Sequence, residues 1–220
     1  MTDTLRLAHR GDSRRAPENS LAAFAAALAV PACDGLEFDV RLAADGVLVT
    51  CHDDTLQRTH GRPDHVDALS GEACEALGVP SLPDVLRSVG RRPFLDIELK
   101  VDPGPTIVAV LAAGRGPDLS NAVVSSFERA ALERVSRLAP SWPRWLNSQT
   151  LEERDIATAL ELGCRGIAAQ WRVLDARSVA SAQAAGLEIA SWTVRRGATF
   201  DRLERLGVVA VCVEAGALDG

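Results

Sequence analysis

The sequence predicts an α/β fold of the (β/α)8 TIM-barrel class, and three observations lead there. Short apolar segments of β type alternate with amphipathic helical ones along the 220-residue chain. Gly163, Gly186 and Gly207 each stand at the end of a helical stretch, just before the next strand, where a left-handed C-cap is needed. No G-x-G-x-x-G follows the first strand, so a doubly wound open sheet lacks its main support.

The first strand is residues 5–9. A helix over 20–30 follows, with Asn19 or Ser20 as N-cap and Pro17 fixing the loop before it. Strand two is 36–40. The next segment, 42–49, breaks the alternation: Asp45-Gly46 is a turn signal followed by a β-rich run, which reads as a short hairpin arm returning from the end of strand two. Such an arm carries His52 back over the barrel mouth. Residues 59–68, with Gly61 and Pro63, read as irregular. Strands then fall at 94–99, 122–127, 145–148, 166–170, 187–194 and 208–213. Helices at 82–89, 106–113, 128–138, 152–162, 176–185 and 198–206 separate them. No linker or low-complexity tract divides the chain, and the length fits one domain over 1–220.

A hydrophobic content of 47% with 25% charged residues is that of a soluble globular protein. The net charge of −6 and the absence of any Lys/Arg block argue against a nucleic-acid partner. Met1-Thr2-Asp3-Thr4 carries no basic-then-apolar leader, and no apolar run is long enough for membrane insertion. Cys33, Cys51, Cys74, Cys164 and Cys212 are odd in number and widely spaced; they read as free thiols in a reducing, cytoplasmic compartment. Cys51 reads as a small buried side chain at a strand end. Nothing in the sequence fixes an oligomeric state.

Chemistry concentrates at four strand ends. Glu37-Phe38-Asp39 places two carboxylates on one side of strand two, because residues i and i+2 of a strand share a face. They repel unless a cation lies between them or one is protonated. Glu98 on the next barrel strand supplies a third oxygen. The set suits one hard divalent ion, Mg²⁺ or Ca²⁺. His9 and His52 are the acid–base pair: cleaving a phosphodiester takes a proton from the attacking oxygen and gives one to the leaving alkoxide. The sequence does not say which does which. Arg10 and Lys100, the only lysine among 24 basic residues, flank the acids. They serve as phosphate contacts, as counter-charges to the carboxylates, or as both. Glu18 is a further substrate-contact candidate, on a ligand hydroxyl.

These blocks resemble the glycerophosphodiester phosphodiesterase family. The likeness is carried by His9-Arg10-Gly11, Pro17-Glu18-Asn19-Ser20, Gly35-Leu36-Glu37-Phe38-Asp39-Val40, Asp45-Gly46, His52 through Thr59, and Asp96-Ile97-Glu98-Leu99-Lys100. Ser125-Ser126-Phe127 and Ser191-Trp192-Thr193-Val194 resemble its later blocks, so the likeness covers essentially the whole chain. It implies a barrel of the phospholipase-C-like phosphodiesterase type and a divalent cation. The implied reaction is hydrolysis of a small-molecule glycerophosphodiester to sn-glycerol 3-phosphate and an alcohol. The matching histidines act as acid and base, the residues matching Glu37, Asp39 and Glu98 hold the metal, Lys100 matches a phosphate contact, and Trp192 lines the pocket.

The chain departs from the family pattern in three places. Arg195 replaces the usual Asn after W-T-V, which puts a cation near the mouth and favours a neutral or anionic alcohol portion over a choline-like one, unless it faces solvent or Glu214 or another acid neutralises it. The stretch Ala210-Val211-Cys212-Val213-Glu214 stands where Gly-Ile-x-Thr-Asp is usual. His60 stands for a second Thr, and the short insertion after it implies a small lid or none. Two other functions compete with this reading. A related barrel phospholipase acting on lysophospholipid or sphingomyelin-like lipid would show an apolar rim after Thr59 and Gln170, where Trp171 is a hint. In a non-catalytic phosphate-ester binding protein the changed C-terminal motif would have cost activity, and the complete acidic and histidine cluster counts against that.

Overall fold

The computed structural model describes residues 4–220; the expected absence of a leader at residues 1–3 concerns positions outside them. The strands are β1 (Leu5–His9), β2 (Gly35–Leu42), β3 (Leu48–Thr50), β4 (Phe94–Leu99), β5 (Ala122–Ser126), β6 (Arg144–Ser148), β7 (Gly166–Gln170), β8 (Glu188–Val194) and β9 (Ala210–Val213). All except β3 run parallel in the order β1-β9-β8-β7-β6-β5-β4-β2, and pairing of β1 with β2 closes the ring. This is the expected eight-stranded barrel. β3 pairs antiparallel with the end of β2, Val40 opposite Thr50, and is the hairpin arm.

The helices are α1 (Leu21–Leu28), α2 (Gln57–His60), α3 (Gly71–Ala76), α4 (Leu82–Val89), α5 (Thr106–Arg115), α6 (Arg129–Leu138), α7 (Glu153–Glu161), α8 (Ala176–Ala184) and α9 (Gly197–Arg205). Ser20 caps α1 by accepting from the Ala23 N–H, an interaction worth about 1 kcal/mol. Gly163, Gly186 and Gly207 have φ of 63°, 83° and 78°, the left-handed helix endings expected of them. Their main core lies between the outward faces of the strands (Leu36, Phe38, Leu95, Ile97, Val124 and Ile189) and the helices.

The segment after β3 differs from expectation. Residues 59–68 are not wholly irregular: α2 ends inside them and Val66–Ala68 form a 3-10 turn. α3, which the sequence did not suggest, is capped by Ser70 and tied to the hairpin turn by the Asp45 carboxylate, which accepts from the Gly71 N–H. The reason is a second small core: Val49, Cys51, Leu56, Val66, Cys74 and Val79 pack together beneath the arm. These apolar residues are too scattered to show a helical period, so only tertiary packing orders them. Cys51 is buried there, as expected, and all five cysteines are free.

Strand alternation also divides the barrel interior. Leu7, Val123, Trp145, Ala168, Ala190 and Ala210 fill its N-terminal half, with Phe94 stacked on Trp145 at 6.0 Å between ring centroids. One or two inward positions further along the same strands come His9, Glu37, Asp39, Asp96, Glu98, Ser125 and Asn147. The polar layer thus faces the C-terminal mouth, the functional end of such barrels.

Candidate active site

His9 ends β1, and the chain then turns sharply through Arg10 (φ 59°) and Gly11 (φ 81°). A Cβ on Gly11 would meet the Ala23 carbonyl carbon at 2.6 Å, so only glycine lets this loop press against α1. The Arg10 N–H donates to the Glu37 carbonyl at 2.8 Å, which binds the loop to β2. Register places His9 opposite Glu37 and Asp39 opposite Glu98.

Glu37, Asp39 and Glu98 come together: each offers a carboxylate oxygen, and these oxygens lie within 4.8 Å of one another. All three are buried. Burial, then repulsion from Asp39 and Glu98, pushes Glu37 well above the usual carboxylate range. Glu98 is raised by burial and by Asp39. Burial also acts to raise Asp39, but Arg10 and Lys100 outweigh it and bring it down to about 2. Glu37 Oε1 is buried without a hydrogen-bond partner. An oxygen-only set with such an orphaned atom fits a hard divalent cation.

The flanking cations are where the sequence placed them. Arg10 Nε lies 3.0 Å from Asp39 Oδ2, and its Nη1 lies 3.0 Å from Glu18 Oε1. Lys100 Nζ lies 3.0 Å from Asp39 Oδ1 and also pairs with Glu98. Both cations therefore balance carboxylates. Glu18 lines the cleft, with Arg10 and Arg58 donating to its two oxygens.

The two imidazoles share one arrangement. His9 Nδ1 is 2.5 Å from Glu214 Oε1, and His52 Nδ1 is 2.6 Å from Asp53 Oδ1. A carboxylate at Nδ1 fixes the ring and leaves Nε2 for proton transfer. His9 Nε2 lies 3.8 Å from Glu37 Oε2, beside the acid cluster. Burial lowers His52, with Asp39 and Asp53 opposing it. The bond to His9 holds Glu214 down at about 2, against burial.

Sequence reasoning missed four partners. Asn19 is not the helix cap: its amide donates to Asp39 Oδ2 at 2.8 Å, while Ser20 does the capping. Asp53 and Glu214 orient the histidines. Asp96 lies below the acid cluster, accepts from Ser125 Oγ at 2.6 Å, and is raised by burial to about 7. The i, i+2 logic applied to Glu37 and Asp39 would have found Asp96 beside Glu98. The same alternation through Ala210 and Cys212 reaches Glu214.

Two other expectations need adjustment. Trp192 donates its indole N–H to the Ala168 carbonyl at 2.9 Å and packs edge-on to Phe127. It sits on the interior apolar layer; Thr193 is the residue of that block lining the cleft beside His9. Arg195 does line that cleft, but its Nε lies 2.8 Å from Glu214 Oε2, so it is not the free cation the sequence suggested. The cleft measures about 690 Å³, and the turn after Gln170 carries Trp171, Arg172 and the exposed Val173, with Arg195 and Arg196 nearby, a mixed border in which cations outnumber aliphatic side chains.

The mouth of the parallel barrel thus gathers three buried acids, two flanking cations and two imidazoles each held by a carboxylate. Comparison with known proteins makes this specific. The model of the glycerophosphoryl diester phosphodiesterase family matches residues 9–215. The glycerophosphodiester phosphodiesterase of Caldanaerobacter subterraneus subsp. tengcongensis is 29% identical over 96% of this chain and 94% of its own length. That of Bacillus subtilis is 28% identical over 94% and 82%. An Oleispira antarctica phosphodiesterase, solved with its product sn-glycerol-3-phosphate, superposes with a TM-score of 0.82 at 24% identity, covering 96% of this chain and 93% of that one. The chain belongs to the glycerophosphoryl diester phosphodiesterase family. The expected reaction class, hydrolysis of a glycerophosphodiester by an enzyme on a TIM barrel, stands.

Proposed function

We propose that this enzyme cleaves small glycerophosphodiesters to sn-glycerol 3-phosphate and an alcohol, with His9 and His52 exchanging the protons. The observation that carries the mechanism is the pair of imidazoles, each held at Nδ1 by a carboxylate beside the buried acids. One imidazole takes the proton of the attacking oxygen, from water or the glycerol 2-hydroxyl, and the other protonates the leaving alkoxide. His52, lowered by burial, enters the reaction neutral and able to accept. A divalent cation, Mg²⁺ or Ca²⁺, held by Glu37, Asp39 and Glu98, would supply Lewis-acid stabilisation of charge on the phosphate. Arg10 and Lys100 balance these carboxylates and present positive charge to the bound diester.

At the rim Arg172, Arg195 and Arg196 outnumber the apolar Trp171 and Val173, which favours this reading over a phospholipase acting on a lipid surface, whose border would be mainly apolar. No helix among the described residues is long and apolar enough to cross a membrane, and the free cysteines support a cytoplasmic location. The test is a product assay on glycerophosphocholine, glycerophosphoethanolamine and glycerophosphoglycerol with Mg²⁺, Ca²⁺ or EDTA. Glycerol 3-phosphate should accumulate with a cation and not with EDTA. Equal turnover in EDTA would remove the metal from the mechanism.

A further inference from the structure

The chain carries a net charge of −6, yet the cleft beside His9 is lined by five arginines and two glutamates. Three of those arginines have carboxylate partners: Arg10 with Asp39 and Glu18, Arg58 with Glu18 and Asp53, and Arg195 with Glu214. Arg172 and Arg196 make no such pair among the described residues, and both are exposed at the rim. That part of the rim therefore carries positive charge with no carboxylate beside it.

Both are also pre-set for an anion. Arg172 lies on the face of Trp171, its guanidinium carbon 4.3 Å from the ring centroid. Trp171 is itself anchored, since Arg202 donates to the Trp171 and Leu174 carbonyls at 2.9 Å each. A guanidinium stacked on an aromatic face keeps its N–H edge available. Arg196 is the N-cap residue of α9 and supplies no side-chain cap. The positive end of that nine-residue helix therefore adds to its charge, and Thr199 of the first turn lines the same cleft.

We infer that Arg172 and Arg196 form a second anion subsite, and that the preferred substrate is a glycerophosphodiester whose alcohol portion bears another phosphate. The reacting diester lies at the histidines and acid cluster while the second phosphate docks on the two arginines. A cleft of about 690 Å³ is in the size range of sites for ligands this large. The inference rests on the reaction proposed above and adds the substrate's second charge.

The experiment measures dissociation constants by calorimetry in EDTA, where the proposed cation-dependent hydrolysis is off. Bis(glycerophospho)glycerol is compared with glycerophosphocholine, on the parent and on the Arg172→Gln/Arg196→Gln variant. The parent should bind the bis-phosphodiester about tenfold more tightly at low salt, the worth of one or two charge-assisted contacts. The variant should bring the ratio near one while leaving glycerophosphocholine within about twofold. A parent without preference, or a variant with the parent's ratio, overturns the subsite. If the substitutions abolish binding to phosphatidylglycerol vesicles but leave the soluble ratio unmoved, the arginines face a lipid surface and the assignment is again overturned. Hydrolysis with Mg²⁺ or Ca²⁺ is scored separately. No turnover of either diester would sink the reaction proposed above, whatever the binding ratio shows.

Discussion

The two ends of the barrel interior use the same strands for opposite purposes. At the N-terminal end Leu7, Val123, Trp145 and the alanines of β7, β8 and β9 make a dry layer without charge. One or two inward positions further along, the interior carries His9, Glu37, Asp39, Asp96 and Glu98. The first layer stabilises the closed ring by apolar burial. The second opposes folding, because buried carboxylates are desolvated and repel one another. A chain keeps such a layer for chemistry, and the difference allows each end to be perturbed alone.

The largest effects belong to the mouth. His9→Ala and His52→Ala should each lower kcat by roughly 10²–10⁴-fold, the usual worth of positioned proton transfer. Circular dichroism and the melting temperature should stay near those of the parent. A kcat within threefold of the parent in either variant would remove that residue from the acid–base pair.

At the other end, Trp145→Ala empties the dry layer. It should cost about 3–5 kcal/mol, lowering Tm by about 10 °C or more. In the fraction that remains folded, kcat should hardly change. A loss of kcat with an unchanged Tm would mean that the two layers are not separable.

A smaller and opposite effect is expected for Asp96→Asn. Asp96 is held up to about 7 in the folded chain against an ordinary value of 3.8. The folded state therefore keeps a proton that the unfolded chain releases, and stability falls as pH rises from about 4 to about 7. The amide removes this penalty while still accepting from Ser125. In EDTA the variant should melt a few degrees above the parent at pH 8 and close to it at pH 4. Destabilisation at pH 8 would show that the carboxylate is held charged by partners.

The difference between the layers also explains what could be read from the sequence. Strand and helix order were legible because the outward faces repeat: Leu36, Phe38 and Val40, then Leu95, Ile97 and Leu99, are all buried against helices. Glu37, Asp39 and Glu98 were legible because charge at inward positions of an apolar strand has no packing reason. α3 was not, since its apolar side chains pack only on the arm's own core. Glu214 was read as a departure from a motif because its partner, His9, lies 205 residues away. Arg195 showed its charge in the sequence and Glu214 was one possible counter-charge, but only the closed ring brings the two to 2.8 Å. The pairing of side chains across the ring depends on closure, which no local pattern encodes.

The central claim, that the three buried carboxylates of the mouth exist to hold a cation, is tested most directly by calorimetric titration of the EDTA-treated, dialysed protein with Mg²⁺ and Ca²⁺. The parent should bind one ion per chain, more tightly as pH rises, since Glu37 is held well above the usual carboxylate range and its proton competes with the ion. Glu37→Ala and Asp39→Ala should abolish that binding while remaining folded. Unchanged affinity in both variants, or no binding by the parent, would contradict the claim.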